Sequence, residues 1–343
     1  MPSAPCLVPQ RMRYLITGGA GFIGSNLVRA LQHDAPDASL LVVDDFRVGH
    51  FDNLSEEPQG KQPGFAYRGD VIAGALHTLD LPAILTRFAP DVVYHLASIT
   101  DTTVTDQAQM LRDNVEPFRD LLAWATAPSD RPRRLVWASS AATYGTTANG
   151  ATPARRPFQI DDAGAPANVY GFSKWVMENL HRAALLAHPG AHLVGLRYFN
   201  VFGPGEQHKG KMASMIYQLA QAMLRGDAPT IFTPGDQARD HIHVDDVVAC
   251  TRAGAAASAQ SGIYNVGTGV ATTFDAVVDA LRTAIDCAHD TRYIPNPYAF
   301  YQDYTCADLT ETRAGLGWSA QHDTAEAIAR YAAHLRNESA QVK

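Results

Sequence analysis

Apolar residues fall along this chain in short unbroken runs, separated by stretches whose apolar positions recur at helical spacing. The runs are Tyr14-Leu15-Ile16-Thr17, Leu40-Leu41-Val42-Val43, Asp91-Val92-Val93-Tyr94-His95-Leu96-Ala97, Arg134-Leu135-Val136-Trp137-Ala138-Ser139-Ser140 and His192-Leu193-Val194-Gly195-Leu196-Arg197-Tyr198. None alternates with polar residues, the pattern of strands covered on both faces. Helical spacing follows the first run at Leu27, Val28 and Leu31, and recurs around Leu76 to Phe88 and Val115 to Thr126. This β-α-β order predicts an α/β fold with a doubly wound parallel sheet. After about residue 201 the pattern loosens into helices, turns and short strands, which predicts a smaller mixed α/β domain facing the substrate. The predicted division gives residues 11–200, with a return segment of about 241–268, to the large domain. Residues 201–240 and 269–338 go to the small one. The alanine-rich stretch Ala253 to Ala259 reads as a helix.

Composition narrows the class. The 343 residues are 46% hydrophobic and 18% charged, ordinary for a globular protein and unlike a disordered or fibrous chain. A net charge of -7, from 28 basic and 35 acidic residues, gives no general basic footprint for nucleic acid. No apolar run approaches the roughly 18 residues of a membrane span. The leader from Met1 to Pro9 is broken by prolines and has no continuous apolar stretch of signal-peptide type. Cys6, Cys250, Cys287 and Cys306 make no CxxC pair, which fits a reduced compartment without a disulfide framework or zinc site. The expectation is a cytoplasmic protein with no nucleic-acid or membrane partner and no metal.

The first run ends in Gly18-Gly19-Ala20-Gly21-Phe22-Ile23-Gly24, a GxxGxxG pattern between a strand and a helix. Glycines there permit a tight turn, let backbone N–H groups approach a pyrophosphate, and place the phosphate at a helix N-terminus. Asp44 lies twenty residues beyond Gly24 at the end of the next run, where a carboxylate binds the adenosine ribose. Together these predict a Rossmann-type dinucleotide site. Asp44 and Asp45 disfavour a ribose 2′-phosphate and so favour NAD, whereas Arg47 or His50 can offset that charge and admit NADP. Asp70, in Gly69-Asp70-Val71, is a candidate for the adenine edge, with a helix cap as its alternative role.

Tyr170-Gly171-Phe172-Ser173-Lys174 is a YxxxK pair, whose spacing puts phenol and ammonium on one helix face. A neighbouring Lys⁺ lowers a tyrosine pKa, which makes the phenol a general base toward a carbinol proton. Ser139-Ser140-Ala141-Ala142-Thr143-Tyr144-Gly145, beyond a predicted strand, supplies a hydroxyl for the same oxygen. In this order the three motifs resemble the extended short-chain dehydrogenase/reductases of the nucleotide-sugar epimerase and dehydratase group, over nearly all of residues 12–320. The resemblance implies Ser140, Tyr170 and Lys174 as a catalytic triad, Lys174 also binding the nicotinamide ribose, and Asn114 as a helix asparagine supporting the site. It extends the cofactor set to Phe22, Ile23, Leu96, Ala97, Ser98 and Val201, and implies tightly held NADP, while Asp44 and Asp45 keep NAD open.

Further on, Gly195 to Pro204, His208-Lys209-Gly210-Lys211-Met212-Ala213-Ser214 and Tyr301 to Thr310 are similar to the branch of this group that epimerises ADP-glycero-manno-heptose at C6″. The His-Lys-Gly-x-Met-Ala-Ser stretch is the most discriminating, and the resemblance makes Lys209 a second acid/base. In that chemistry the C6″ carbinol is oxidised to a ketone and the same hydride returns to its other face. Tyr170 then serves one epimer and Lys209 the other. For a substrate that is a nucleotide-diphosphate sugar, Asn200, Phe232, Gly235, Arg239 and Tyr301 match binding positions. Arg239 can fork onto a diphosphate, or instead pair with Asp240 or Asp246. Lys211 stands where the branch has a small Ser, Gln218 replaces a substrate-facing His, and no lysine for a 2′-phosphate lies near His50. An epimerase of another nucleotide-sugar, for example at C4, is one alternative, and a non-catalytic nucleotide-binding scaffold is another. A homo-oligomer is expected by resemblance. His95 and His243 read as strand or loop histidines without a metal, and Trp124, Trp137 and Trp175 as core.

Overall fold

A computed structural model describes residues 11–55, 67–145, 155–297 and 301–341. The chain builds β1 (Arg13–Thr17), β2 (Ser39–Asp44), β3 (Asp70–Ala73), β4 (Val92–His95), β5 (Arg134–Ser140) and β6 (His192–Tyr198) in succession. It leaves through β7 (Asn200–Phe202), β8 (Thr230–Phe232), β9 (Ala238–Arg239) and β10 (His241–His243). It then returns for β11 (Gly262–Val266), before β12 (Thr272–Thr273) and β13 (Arg292–Ile294). Seven of these strands form one parallel sheet in the order β11-β6-β5-β4-β1-β2-β3. The order reverses between β1 and β4, the switch point at whose carboxyl edge a doubly wound sheet binds its ligand.

Alternation sorts the strand side chains onto two faces. Ile16, Val42, Val136 and Val194 join one apolar cluster, and Leu15, Leu41, Val43, Leu135 and Leu193 join the other. The helices are α1 (Phe22–Asp34), α2 (Asp52–Ser55), α3 (Leu81–Phe88), α4 (Gln107–Asn114), α5 (Glu116–Thr126), α6 (Val169–Ala187), α7 (Met215–Leu224), α8 (Val244–Ala253), α9 (Phe274–Ile285), α10 (Thr310–Leu316) and α11 (Thr324–Gln341). Leu27, Val28 and Leu31 of α1 cover the first face with Val244, Val247 and Val248 of α8. The second face takes Leu81 and Leu85 of α3, Phe118, Leu121 and Leu122 of α5, and Met177 of α6. A third cluster unites α7, α9, α11 and β8 through Leu219, Ile231, Val277, Leu281, Ile328 and Tyr331. Three short two-stranded pairs, β10 with β7, β12 with β9 and β13 with β8, lie outside the large sheet.

Two expectations need correcting. The Ala253 to Ala259 stretch is not a helix. Helix α8 ends at Ala253 and the chain turns at Gly254, where a Cβ would come within 3.0 Å of Val194. Trp124 and Trp137 are core residues, but Trp175 is only half-buried and lies under the Arg182 guanidinium, 5.0 Å from its ring centre. Among the described residues no helix is long and apolar enough to cross a membrane.

Candidate active site

The carboxyl edge of the sheet begins with the glycine loop. Gly18 adopts φ +71°, and a Cβ on it would lie 2.6 Å from the Ala97 nitrogen; one on Gly24 would lie 2.0 Å from the Gly18 carbonyl oxygen. Gly21 precedes α1 without a side-chain cap, so the N–H groups beginning at Phe22 and Ile23 stay available to an anion. Leu96 N–H donates to the Thr17 carbonyl at 3.0 Å and Ala97 N–H to Thr17 Oγ1 at 3.3 Å, bringing Leu96, Ala97 and Ser98 to the same edge. Asp44 Oδ2 accepts from Ala20 N–H and Oδ1 from Phe46 N–H, both at 2.9 Å. Each oxygen keeps a lone pair for a ribose hydroxyl. This cradle fits an adenine dinucleotide.

The neighbouring cation is already committed. Arg47 donates to Asp45 at 2.6 Å and to Asp113 at 2.9 Å. His50 pairs with Asp52 at 3.0 Å and stacks on His208 at 4.8 Å. Asp70 does not reach this edge and caps no helix. It opens β3 opposite Leu41, whereas Ala73 lies opposite Asp44, so Asp70 sits about 10 Å back along the strand. Ile72 to Gly74 occupy the edge in its place. A four-residue, half-exposed edge strand leaves too weak an apolar pattern to locate its ends.

Three elements converge on the YxxxK pair. Ser140 ends β5 opposite Tyr198 of β6, and Asn168 caps α6 by accepting from Gly171 N–H at 2.8 Å. Tyr170 is thereby fixed in the first turn, and its phenol hydrogen-bonds the Ser140 hydroxyl. Lys174, 2% exposed, donates to the Ala138 carbonyl at 2.7 Å and lies 5.9 Å from the Tyr170 ring centre. Burial without an anionic partner lowers the Lys174 pKa to about 7. Burial raises the Tyr170 pKa and outweighs the lowering from the Ser140 hydrogen bond. Asn114, fully buried, accepts from Ile99 N–H at 2.8 Å and donates to Ser173 Oγ at 3.1 Å. It thus joins the loop after β4 to the catalytic helix.

Lys209 arrives on a short turn, Gln207–Met212, with its ammonium 5.2 Å from the ring centre of Phe22 at the head of α1. Burial lowers its pKa, and the field of Glu206 opposes the shift. Lys211 on the same turn is exposed, and Gln218 donates to the carbonyls of Ala213 at 2.8 Å and Lys211 at 3.3 Å. Asn200 is exposed at the start of β7 and accepts from Thr305 Oγ1 at 3.3 Å, while Val201 beside it is half-buried.

Arg239 is 7% exposed, donates to the Ala238 carbonyl at 3.1 Å, and lies 4.9 Å from the Tyr301 ring centre. Tyr301 in turn meets Phe232 edge-on at 5.4 Å. The expected alternative, pairing with Asp240 or Asp246, is absent. Asp240 accepts from Thr268 N–H and Oγ1 at 2.7 Å, Gly269 N–H at 3.0 Å and Ala307 N–H at 2.9 Å. Asp246 accepts from Gln321 and His322 N–H. Among the described residues no carboxylate lies within 4.0 Å of the Arg239 guanidinium; the Tyr301 hydroxyl accepts a hydrogen bond from it, and Phe274 is its second aromatic neighbour. Gly235, at φ +93°, lies close against the Asp275 carboxylate.

These elements agree with the comparisons with known proteins. Residues 14–267 match the NAD dependent epimerase/dehydratase family. The chain belongs to that family. An ADP-L-glycero-D-manno-heptose-6-epimerase of Brachyspira hyodysenteriae is 36% identical over 307 residues, 88% of this chain and 90% of that protein. The crystal structure of the Helicobacter pylori ADP-L-glycero-D-manno-heptose-6-epimerase superposes with a TM-score of 0.79 at 32% identity, covering 96% of this chain and 98% of that one. A Thermus thermophilus UDP-glucose 4-epimerase in complex with NAD gives 0.76 at 26% identity, covering 95% and 99%.

The glycine loop and the YxxxK pair stand on the large sheet, while Lys209 and Arg239 come from segments beyond it. Sequence reasoning missed Glu178, Glu206 and Asp113. Glu178 binds Arg197 in a fork at 2.7 and 2.6 Å and accepts from Ser139 at 2.7 Å. An acidic residue in a helix or turn reads as surface, and no spacing rule marks these three as buried. His95 donates to or accepts from Thr17 at 2.8 Å but leaves Nε2 buried without a partner. His243, Asp245 and His322 each offer a donor atom within 4.8 Å of the others. They stand at the amino-terminal end of α8, where the helix dipole opposes a cation.

Proposed function

We propose that this chain interconverts ADP-D-glycero-β-D-manno-heptose and ADP-L-glycero-β-D-manno-heptose by inverting C6″, through transient oxidation to a ketone. The observation that carries the reading is Lys209, a lysine of lowered pKa held against the dinucleotide loop in addition to the complete Ser140–Tyr170–Lys174 set. Inversion requires the carbinol oxygen to leave one proton-handling group and arrive at another, and this site offers two on separate elements. Bound nicotinamide dinucleotide supplies the hydride acceptor and donor, and its positive charge favours the phenolate. Ser140 holds the substrate oxygen while Tyr170 takes its proton, and Lys174 stabilises the anion that results. After the ketone turns its other face, Lys209 gives a proton to the re-forming hydroxyl. Arg239, Tyr301, Phe232 and Gly235 hold the nucleotide diphosphate. Asn200, Lys211 and Gln218 shape the sugar end, Gln218 by bracing the lysine-bearing turn.

We assign NAD as the retained cofactor. Asp44 and Asp45 face the adenosine ribose, and Arg47 is neutralised by two carboxylates, so a 2′-phosphate meets net negative charge. Cofactor released from denatured protein and separated chromatographically is expected to be NAD; recovery of NADP overturns that assignment. The activity is tested by proton NMR on ADP-D-glycero-β-D-manno-heptose with no added cofactor. The L-glycero epimer is expected with wild type, whereas Lys209→Met is expected to reduce bound cofactor without forming the epimer. Full epimerase activity in Lys209→Met rejects the two-group mechanism, and turnover of a UDP-hexose but not of the heptose rejects the substrate.

A further inference from the structure

We propose that Glu206 is the positioning residue of the Lys209 turn: its buried carboxylate fastens Gly203 to Ser214 and so holds Lys209 against Phe22 at the dinucleotide loop. This deepens the reading of Lys209 as second acid/base and rests on it.

Glu206 has no exposed surface, yet among the described residues no cation pairs with it within 4.0 Å. Its oxygens are spent on the two ends of one excursion of the chain. Oε1 accepts from Gly203 N–H at 3.1 Å and from Ser214 Oγ at 2.9 Å, and Oε2 accepts from Ser214 N–H at 2.6 Å. One carboxylate thus closes the segment Gly203 to Ser214 into a ring, which removes most of the freedom an unstapled loop of this length retains. The same Ser214 hydroxyl accepts from Tyr217 N–H at 3.1 Å and caps α7, so the ring is anchored to a helix of the third apolar cluster. Tyr331 of α11 adds its phenol to the carboxylate. Inside the ring, Lys209 N–H donates to the Glu206 carbonyl at 3.0 Å, and Gly210 adopts φ +54° and ψ -122°, breaking the turn just after the lysine. A second fastening, Asn26 Nδ2 to the Pro204 carbonyl at 2.9 Å, ties the ring to α1. Lys209 therefore has its place over Phe22 set by Glu206, Ser214 and Asn26, which stand outside the assigned catalytic and binding residues.

An apolar residue of the same size would satisfy none of these donors, and a buried charge is retained here at a desolvation cost. The charged and titratable groups that face the carboxylate are Lys209 from the turn, Tyr217 from α7 and Tyr331 from α11. The field of Glu206 also raises the pKa of Lys209 against burial. A residue that only stabilised the fold would leave that titration where it is.

Glu206→Gln makes the test. The amide nitrogen cannot accept, so either orientation of the side chain leaves Gly203 N–H or Ser214 N–H without its partner. We expect retained cofactor, read by absorbance, to be unchanged, kcat to fall about 30-fold, and KM to move less than about threefold. The chain has five lysines, Lys61, Lys174, Lys209, Lys211 and Lys343, so reductive ¹³C-methylation gives an NMR spectrum in which Lys209 is assigned by its loss in Lys209→Met. Its titration midpoint is expected to fall by about one pH unit in Glu206→Gln. In a Lys209→Met background the same substitution is expected to lower the first, Tyr170-dependent reduction of bound cofactor no further. If Glu206→Gln does not fold, Glu206→Asp serves: it keeps the charge and hence the midpoint, but shortens the staple and lowers kcat. Wild-type kcat and midpoint in Glu206→Gln overturn the inference, as does wild-type kcat in Glu206→Asp should that variant carry the test. Full epimerisation by Lys209→Met overturns the reading beneath it instead.

Discussion

Arg239→Met is expected to leave the free protein about as stable and the enzyme worse, because one buried charge costs about as much to bury as its contacts return. The guanidinium is 7% exposed with no carboxylate among the described residues within 4.0 Å. Desolvating such a cation costs about several kcal/mol. Against that stand its two aromatic neighbours, Tyr301 at 4.9 Å and Phe274 at 5.9 Å, at about 0.5–2 kcal/mol each. The hydrogen bonds to the Ala238 carbonyl and the Tyr301 hydroxyl add about 1 kcal/mol each. A methionine keeps the apolar packing and drops both the desolvation cost and these contacts, which nearly cancel, so Tm is expected to stay within about 2 °C of wild type. The diphosphate then loses a charge-assisted fork of about 1.5–3 kcal/mol, which raises KM roughly 10- to 150-fold while kcat changes far less. Thermal melts without substrate and initial rates by NMR read the two effects separately. Arg239→Lys keeps the charge but not the fork, and its KM is expected to fall between wild type and Arg239→Met. A lower Tm together with an unchanged KM in Arg239→Met would refute the reasoning, since the guanidinium would then be a structural group and not an anion receptor.

Tyr170→Phe is expected to lower turnover about 10³-fold while the purified protein still carries its dinucleotide; unchanged kinetics remove Tyr170 as the base. Lys174 makes stability depend on pH. Its folded pKa of about 7 lies below the ordinary 10.5, so between these values the unfolded chain binds more protons and stability rises with pH. The stability of wild type minus that of Lys174→Met is expected to increase from about pH 7 to about pH 10 in denaturant titrations. A difference that stays flat over that window rejects the buried, unpaired lysine.

The large sheet was legible because its strands are buried on both faces, so Leu15, Ile16, Val42, Val43, Leu135 and Val136 leave unbroken runs. Its glycine loop was legible because Gly18 and Gly24 have no room for a Cβ. The YxxxK helix was legible for a third reason, since helical spacing fixes which face two side chains share. Asp70 was misplaced for want of any such constraint: β3 is an edge strand with both end residues exposed, and nothing in its four residues marks where it starts. Tyr170 illustrates a different limit. Spacing put an ammonium beside the phenol, but the burial that raises the phenol's own pKa is not carried by spacing. The free state of Arg239 was likewise open, because Asp240 and Asp246 are its neighbours in sequence and only the fold shows their oxygens turned to other donors.

Those carboxylates point to how the site is assembled. Adjacent residues of a strand face opposite sides, and two functional side chains here exploit that. Ser140 faces the site while Ser139, 2% exposed, donates on the far side to Glu178. Arg239 faces the aromatic rings while Asp240, fully buried, gathers Thr268, Gly269 and Ala307 behind it. Lys209 follows the same logic in a turn, with Glu206 three residues earlier as its buried anchor. In each case an acidic group with no role in the chemistry takes up backbone or arginine donors, and the functional residue is carried to its place by the chain next to it. The apolar clusters explain why the sheet forms. They do not explain why Ser140, Arg239 and Lys209, on three separate segments, hold fixed positions, and the buried carboxylates do.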